Sequence, residues 1–325
     1  MLKQVPKQLT KPVLLAAALI VSMTGASHAQ TLKVALPQKG NWDTGIVEYG
    51  VRAGIFRDAG LNIEISYTQG GAATIQAVIS GSVDVATHTG MLGLIGAYAK
   101  GAPIRVISPA ITGSPELFWY ARPDKNIKSL KDATDKTIAY SAAGSSTHLL
   151  VLSLLDLEKV KARPTATGGI PSTYTQVMSG QIDIGWSSPP FAIEDIRTGK
   201  VNIVARGNDL PEIRDTTLRV NFANENALKS KRDLFLRFSQ AYVKSLEWSY
   251  ANPQAIDFFA EAAGVSREVA KESVEKFYPQ AALQPYEIRG LAVSLQQALD
   301  HKFIPKPMTE KEVAGLFDIL VPKGK

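Results

Sequence analysis

The sequence contains no cysteine, so the chain can form no disulfide, hold no thiolate-bound metal and carry no lipid on a cysteine. Histidine is scarce, with four residues in 325, and neither the H-E-x-x-H nor the H-x-x-E-H spacing of zinc hydrolases occurs. Beyond residue 30 no apolar run approaches the ~18 residues of a membrane-spanning helix. Lysine and arginine exceed the acids by 36 to 30, but they are scattered without a dense block or a nucleic-acid motif, so no nucleic-acid partner is expected. A G-x-S-x-G elbow is absent, and Gly144 is followed by Ser-Ser-Thr-His where a phosphate-binding P-loop would need lysine. No metal and no cofactor are expected.

What is present begins with an export signal. Lys3, Lys7 and Lys11 precede the apolar run Val13 to Met23, and Ser27-His28-Ala29 places small residues where a signal peptidase cuts. Residues 1–29 are therefore expected to be a cleavable signal peptide. The mature chain would be a soluble periplasmic protein and a monomer. Cleavage removes three lysines and no acid, leaving +3 of the formal +6.

Strand and helix patterns then alternate as far as residue 207. Thr31-Leu-Lys-Val-Ala-Leu36 and Asn62-Ile-Glu-Ile-Ser-Tyr67 alternate like strands, and the intervening segment from Thr44 to Ala53 has helical spacing. This order predicts an α/β fold with largely parallel sheets and crossover helices. It contains an internal repeat. Ser80-Gly-Ser-Val-Asp-Val-Ala86 matches Ser179-Gly-Gln-Ile-Asp-Ile-Gly185, each after an apolar helix and before a polar turn. In both copies the mid-strand acid, Asp84 or Asp183, is expected to hold neighbouring backbone N–H groups. Two similar α/β units follow, with the chain crossing between them near residue 112 and returning near 217. Residues 30–112 and 217–325 would form lobe 1, and residues 113–216 lobe 2. From Asn226 onward the pattern is helical, over Lys231 to Asn252, Pro253 to Ala263, Ser266 to Phe277 and Pro285 to His301.

Ligands of open α/β sheets bind beyond the carboxyl ends of the strands. Four loops occupy such positions: Gln38 to Asp43, Thr87 to Met91, Ser141 to His148 and Trp186 to Phe191. They would face each other across a cleft between the lobes. Hydroxyls, amides and helix-start N–H groups suit a small anion or an oxygen-bearing solute, with Trp42, Trp186 and Phe191 covering its apolar part. Lys39 and Asp43 are the only formally charged side chains in the four loops. The candidate ligand contacts are Asn41, Trp42, Thr89, Gly90, Gly144, Ser145, Ser146, His148, Trp186 and Ser188, with Arg219 as the nearest fixed positive charge to a crossing. The same residues admit an enzyme reading, in which Ser145 and His148, three apart at a helix start, serve a secreted hydrolase. The repeated aspartates lie mid-strand, which leaves that pair without an obvious third member.

The stretches GGAATIQAVISGSVDVATHTG, IAYSAAGSSTH and SGQIDIGWSSPPF, in this order behind a signal peptide, resemble the periplasmic solute-binding proteins of ABC importers. The similarity is to the group that includes the aliphatic-sulfonate, taurine and nitrate binding proteins and the related thiamine-precursor binders, and it covers nearly all of residues 31–320. The resemblance implies a two-lobed periplasmic binding protein fold of type II, with two crossover strands and a ligand cleft between the lobes. It implies capture of a small organic anion or polar solute, sulfonate-, nitrate- or carboxylate-like, for delivery to an inner-membrane permease with its ATPase subunit, without catalysis. By matching positions, Thr89 and Gly90 follow the first-lobe contact loop, Gly144 to His148 the second-lobe loop, and Trp186 to Pro190 the W-x-P turn. Two positions depart from the pattern. The family often has Trp-Asp-Pro where this chain has Trp186-Ser-Ser-Pro, and Gly-Ser-Asn where it has Gly144-Ser-Ser-Thr, so no particular ligand carries over.

Overall fold

The computed structural model describes residues 30–321 together with Met1 and Leu2, so the expected signal peptide lies, apart from those two residues, outside the described residues. No helix among the described residues is long and apolar enough to cross a membrane.

The strands are β1 (Gln30–Leu36), β2 (Leu61–Tyr67), β3 (Val85–Gly90), β4 (Ile104–Thr112), β5 (Phe118–Ala121), β6 (Thr137–Tyr140), β7 (Arg163–Ala166), β8 (Ile184–Ser187), β9 (Asn202–Arg206) and β10 (Thr217–Asn224). They form two five-stranded sheets of the same plan, β2-β1-β3-β10-β4 and β7-β6-β8-β5-β9. The fold is the two-lobed α/β architecture. Its sheets are mixed rather than largely parallel. β1 runs parallel to β2 and β3, and β6 parallel to β7 and β8, but β10 is antiparallel to β3 and β4, and β5 is antiparallel to β8 and β9. The antiparallel strand in each sheet is the one the chain enters after leaving the other sheet. Alternating hydrophobicity does not distinguish it from its parallel neighbours.

The internal repeat is structural. Asp84 and Asp183 stand just before β3 and β8 rather than mid-strand. Asp84 Oδ2 accepts from Lys33 N at 3.0 Å and Asp183 Oδ2 from Thr137 N at 3.0 Å, so each acid pins the start of the strand that follows it to the neighbouring one. The Thr68 and Thr74 hydroxyls meet at 2.5 Å, and those of Thr167 and Thr173 at 2.6 Å. Thr74 Oγ1 donates to Gly70 O and Thr173 Oγ1 to Gly169 O, both at 3.0 Å. In each copy a threonine pair thus fastens the start of a helix to the loop before it. The two corners, at Gly70 and Gly169, are built alike.

Leu234, Phe235, Phe238, Tyr242 and Leu246 form a buried stripe on helix Arg232–Ala251. It packs with Trp42, Tyr49 and Phe56 in a core of its own, and burying each large side chain contributes about 1.5–3 kcal/mol. The last long helix is shorter than its pattern, spanning Leu291–Asp300. Gln284 Oε1 accepts from Tyr286 N and Glu287 N at 3.0 and 2.9 Å, making a turn that competes with helix. Thr217 N then donates to Arg289 O at 2.9 Å, and Gly290 turns through φ +61° before the helix starts.

Candidate functional site

Between the two sheets lies a cavity of about 70 Å³. Four helices begin at its wall: Gly71–Ile79, Met91–Ala99, Ser146–Glu158 and Ile170–Met178. Two follow strands of the first sheet and two follow strands of the second. Free N–H groups and positive dipole ends therefore converge on one space.

The side-chain framework is an ionic cluster centred on Arg219, whose strand β10 puts it opposite Gly90 in register with β3. Its guanidinium is buried and donates in three directions: Nη1 to Asp43 Oδ2 at 2.9 Å, Nη2 to Glu116 Oε1 at 2.5 Å, and Nε to Ser146 Oγ at 3.0 Å. Asp43 comes from the loop after β1, Glu116 from the crossing into β5, and Ser146 from a helix of the second sheet. One side chain thus ties three segments together. Burial works against the charge on Arg219, but Glu116 and Asp43 hold its pKa above the ordinary value. Burial pushes the Glu116 carboxyl above its usual range, against the pull of Arg219.

Several polar atoms of the lining have no hydrogen-bond partner among the described residues. They are Glu116 Oε2, Trp186 Nε1 and both ring nitrogens of His88. Unpaired buried polar groups cost free energy, and such atoms in a cavity wall are groups a ligand can satisfy. Burial pushes the His88 imidazole down to about 4, with Asp43 opposing the drop and Arg219 adding to it, so the ring is neutral near pH 7. His88 also stands at φ +51°, a left-handed conformation uncommon for a non-glycine residue.

Backbone from the two sheets comes into contact beside this cavity. A Cβ on Gly93 would lie 2.7 Å from Gly144 O, and one on Gly90 would lie 2.8 Å from Ser146 N. Gly144 itself is at φ +79°, so both its conformation and its contact with Gly93 Cα call for glycine. A second clasp is polar. Asn41 Nδ2 donates to Ser188 Oγ at 2.5 Å and reaches Pro189 O at 3.3 Å, while Tyr278 OH donates to Pro189 O at 2.6 Å.

Of the residues singled out from the sequence, Asn41, Gly90, Ser145, Ser146, Trp186, Ser188 and Arg219 line the cavity together. Trp42, Thr89, Gly144 and His148 do not. Trp42 is fully buried in the first-lobe core, edge-on to Tyr250 and Phe259. Thr89 turns its hydroxyl to Thr87 O at 3.3 Å. Gly144 contributes backbone packing against Gly93, as described. His148 stacks on Tyr140 with ring centroids 4.2 Å apart and packs edge-on to Phe303. Phe191 likewise sits outside the lining, near Gly40.

The two residues of the hydrolase alternative are engaged elsewhere. Ser145 Oγ caps its helix by accepting from His148 backbone N at 3.1 Å, and it pairs with Thr147 Oγ1 at 2.9 Å. The imidazole Nδ1 of His148 accepts from Gly144 N at 3.3 Å. The hydroxyl and the ring are each used locally, and no hydrogen bond joins them among the described residues.

Asp43 and His88 lie in loops expected at the cleft but were not among the expected contacts, whereas Glu116 and the paired corners Gly70–Gly71 and Gly169–Ile170 were not expected in the wall at all. The corners carried a signal, since both open helices in the repeated unit. Glu116 carried only a weak one, an acid at the head of the otherwise apolar run Leu117-Phe-Trp-Tyr-Ala121.

A family model described as NMT1/THI5 like matches residues 45–256. No curated protein matches the chain. Among solved structures, the chain is similar to the alkanesulfonate-binding protein SsuA from Xanthomonas axonopodis pv. citri bound to MOPS, at 15% identity and TM-score 0.73, covering 89% of this chain and 98% of that one. It is similar to the periplasmic aliphatic sulphonate binding protein SsuA from Escherichia coli, at 18% identity and TM-score 0.69 over 88% and 97% of the two chains. The periplasmic nitrate-binding protein NrtA from Synechocystis PCC 6803 gives 14% identity and TM-score 0.71 over 89% and 85%. What these proteins share with this chain is the fold, two mixed α/β sheets flanked by helices.

Proposed function

Because the chain belongs to the NMT1/THI5-like family, we propose that it is the substrate-binding component of an ABC importer, capturing a small polar solute between its lobes. The observation that carries this reading is the cavity itself, whose wall is assembled from helix starts of both sheets and from side chains that bond across them. Lobe 1 would comprise residues 30–112 and 217–325, and lobe 2 residues 113–216, with the two crossings as the hinge. The solute would contact both lobes at once and so stabilise the closed form. Export through a cleavable signal peptide would bring the protein to the periplasm, where as a monomer it would deliver the solute to a permease driven by a cytoplasmic ATPase. No reaction is assigned to the chain.

The test is a thermal-shift screen of sulfonates, nitrate, carboxylates, amides and nitrogen heterocycles, run beside an esterase assay. A raised melting temperature with unchanged solute supports the reading. Turnover that Ser145→Ala abolishes would replace it with the hydrolase.

A further inference from the structure

The cavity wall holds one cation, Arg219, and two carboxylates bonded to it, Asp43 and Glu116. With both acids ionised the cluster is net negative. With Glu116 protonated it is neutral. In neither state does a net positive side-chain charge remain for an anionic ligand, and three of the five guanidinium donors are already committed. His88, the remaining titratable side chain of the wall, is neutral near pH 7. What the wall offers beyond the cluster is mixed. Glu116 Oε2 is an unpaired acceptor, Trp186 Nε1 is an unpaired donor, and the His88 ring has one of each. The four helix starts add donors and partial positive charge, which offsets the negative cluster and favours acceptor atoms on the solute.

From this charge balance we infer that the site takes an uncharged solute presenting an N–H donor beside a carbonyl or ring-nitrogen acceptor, and that Glu116 is the residue selecting it over carboxylates, sulfonates and nitrate. The donor meets Glu116 Oε2, and the acceptor meets Trp186 Nε1 or a helix-start N–H. An anion placed there would bring negative charge against the Glu116 carboxylate, and like charges in a desolvated site cost heavily. A cation would satisfy Glu116 but leave Trp186 and the helix starts facing donors. This inference rests on the solute-binding reading of the cavity and narrows its ligand.

Two isosteric triads, acetate with acetamide and acetamidinium, and benzoate with benzamide and benzamidinium, differ only in head-group charge and hydrogen-bonding pattern. They would be titrated calorimetrically against the whole mature chain, with methanesulfonate and nitrate alongside. The amide is expected to bind about tenfold or more tightly than the carboxylate of its triad, and more tightly than the amidinium. In Glu116→Gln the preference for amide over carboxylate should shrink by about tenfold, with circular dichroism verifying the fold. An anion binding wild type as tightly as the amide, or an amidinium binding best, overturns the inference and leaves the binding-protein reading standing. An unchanged ratio in the variant overturns the role of Glu116, and failure of both amides to bind overturns the ligand class. If, in addition, no solute of the wider screen raises the melting temperature, the binding-protein reading falls with it.

Discussion

Asn41 Nδ2 and Ser188 Oγ lie 2.5 Å apart although 147 residues separate them, and they belong to loops that follow strands of different sheets. With the hinge closure proposed above, this contact would exist only while the sheets are closed on the cavity. Removing it shifts the balance between closed and open forms by about 1 kcal/mol, the usual net value of such a bond. Apparent affinity falls with the fraction of closed-competent protein. Asn41→Ala is therefore expected to weaken binding of whichever solute the screen identifies by about fivefold. Titration calorimetry measures the affinity, and small-angle scattering of the unliganded variant should show a more open average shape.

Gly93 offers a sharper version of the same test. A Cβ there meets Gly144 O at 2.7 Å, closer than a carbon can approach a carbonyl oxygen, while the glycine itself sits within helix Met91–Ala99. Alanine raises local helix stability by up to about 1 kcal/mol, so Gly93→Ala should leave the first lobe folded and hold the lobes apart. The expected result is a melting temperature near wild type with affinity reduced by more than Asn41→Ala reduces it. Full affinity in Gly93→Ala would mean that closure does not bring these backbones together.

Ser145 and Ser146 should separate stability from organisation of the site. Ser145 Oγ is the cap of helix Ser146–Glu158, and losing such a cap costs about 0.5–2 kcal/mol. Ser145→Ala should lower the melting temperature. Ser146 Oγ accepts from Arg219 Nε at 3.0 Å, and Ser146→Ala strands one donor of a buried cation at a cost of about 1–3 kcal/mol. A solute with a suitable acceptor can recover part of that loss. Ser146→Ala is thus expected to show a larger ligand-induced rise in melting temperature than Ser145→Ala.

The fold was legible because its grammar is local. Strand, small-residue loop and helix start recur at residues 36–46, 67–71, 90–91, 140–146 and 166–170, and each can be read within a window of about ten residues. The repeated Ser-Gly-x-hydrophobic-Asp unit likewise announced two similar sheets. The charged centre of the site was not legible, because it depends on residues far apart in sequence. Arg219 meets Asp43 across 176 positions and Glu116 across 103. The apolar run after Glu116 is only a weak mark of its burial, because an acid before an apolar strand is ordinary at a surface. Trp42 and His148 were misleading for the opposite reason. Each lies in or beside a site loop, but an aromatic ring is large enough to turn away and pack, and Tyr250, Phe259 and Tyr140 provide the surfaces.

His88 makes the stability of the fold depend on pH in a predictable direction. Its pKa falls from 6.5 to about 4 because burial penalises the charged ring. Between those values the unfolded chain binds a proton that the folded chain does not, so stability declines as pH drops from 6.5 toward 4 and is level on either side as far as this group is concerned. The full span amounts to roughly 3 kcal/mol. Asparagine tolerates the left-handed backbone at this position and does not titrate. His88→Asn should therefore flatten the pH dependence of urea unfolding across this window without changing it at neutral pH, where the wild-type ring is already uncharged. Since Asp43 and Arg219 flank the same ring with opposite signs, the effect should persist at high salt, which screens exposed charges far more than buried ones. A parallel decline in variant and wild type would assign the acid sensitivity to other groups and return His88 to the role of a neutral wall residue.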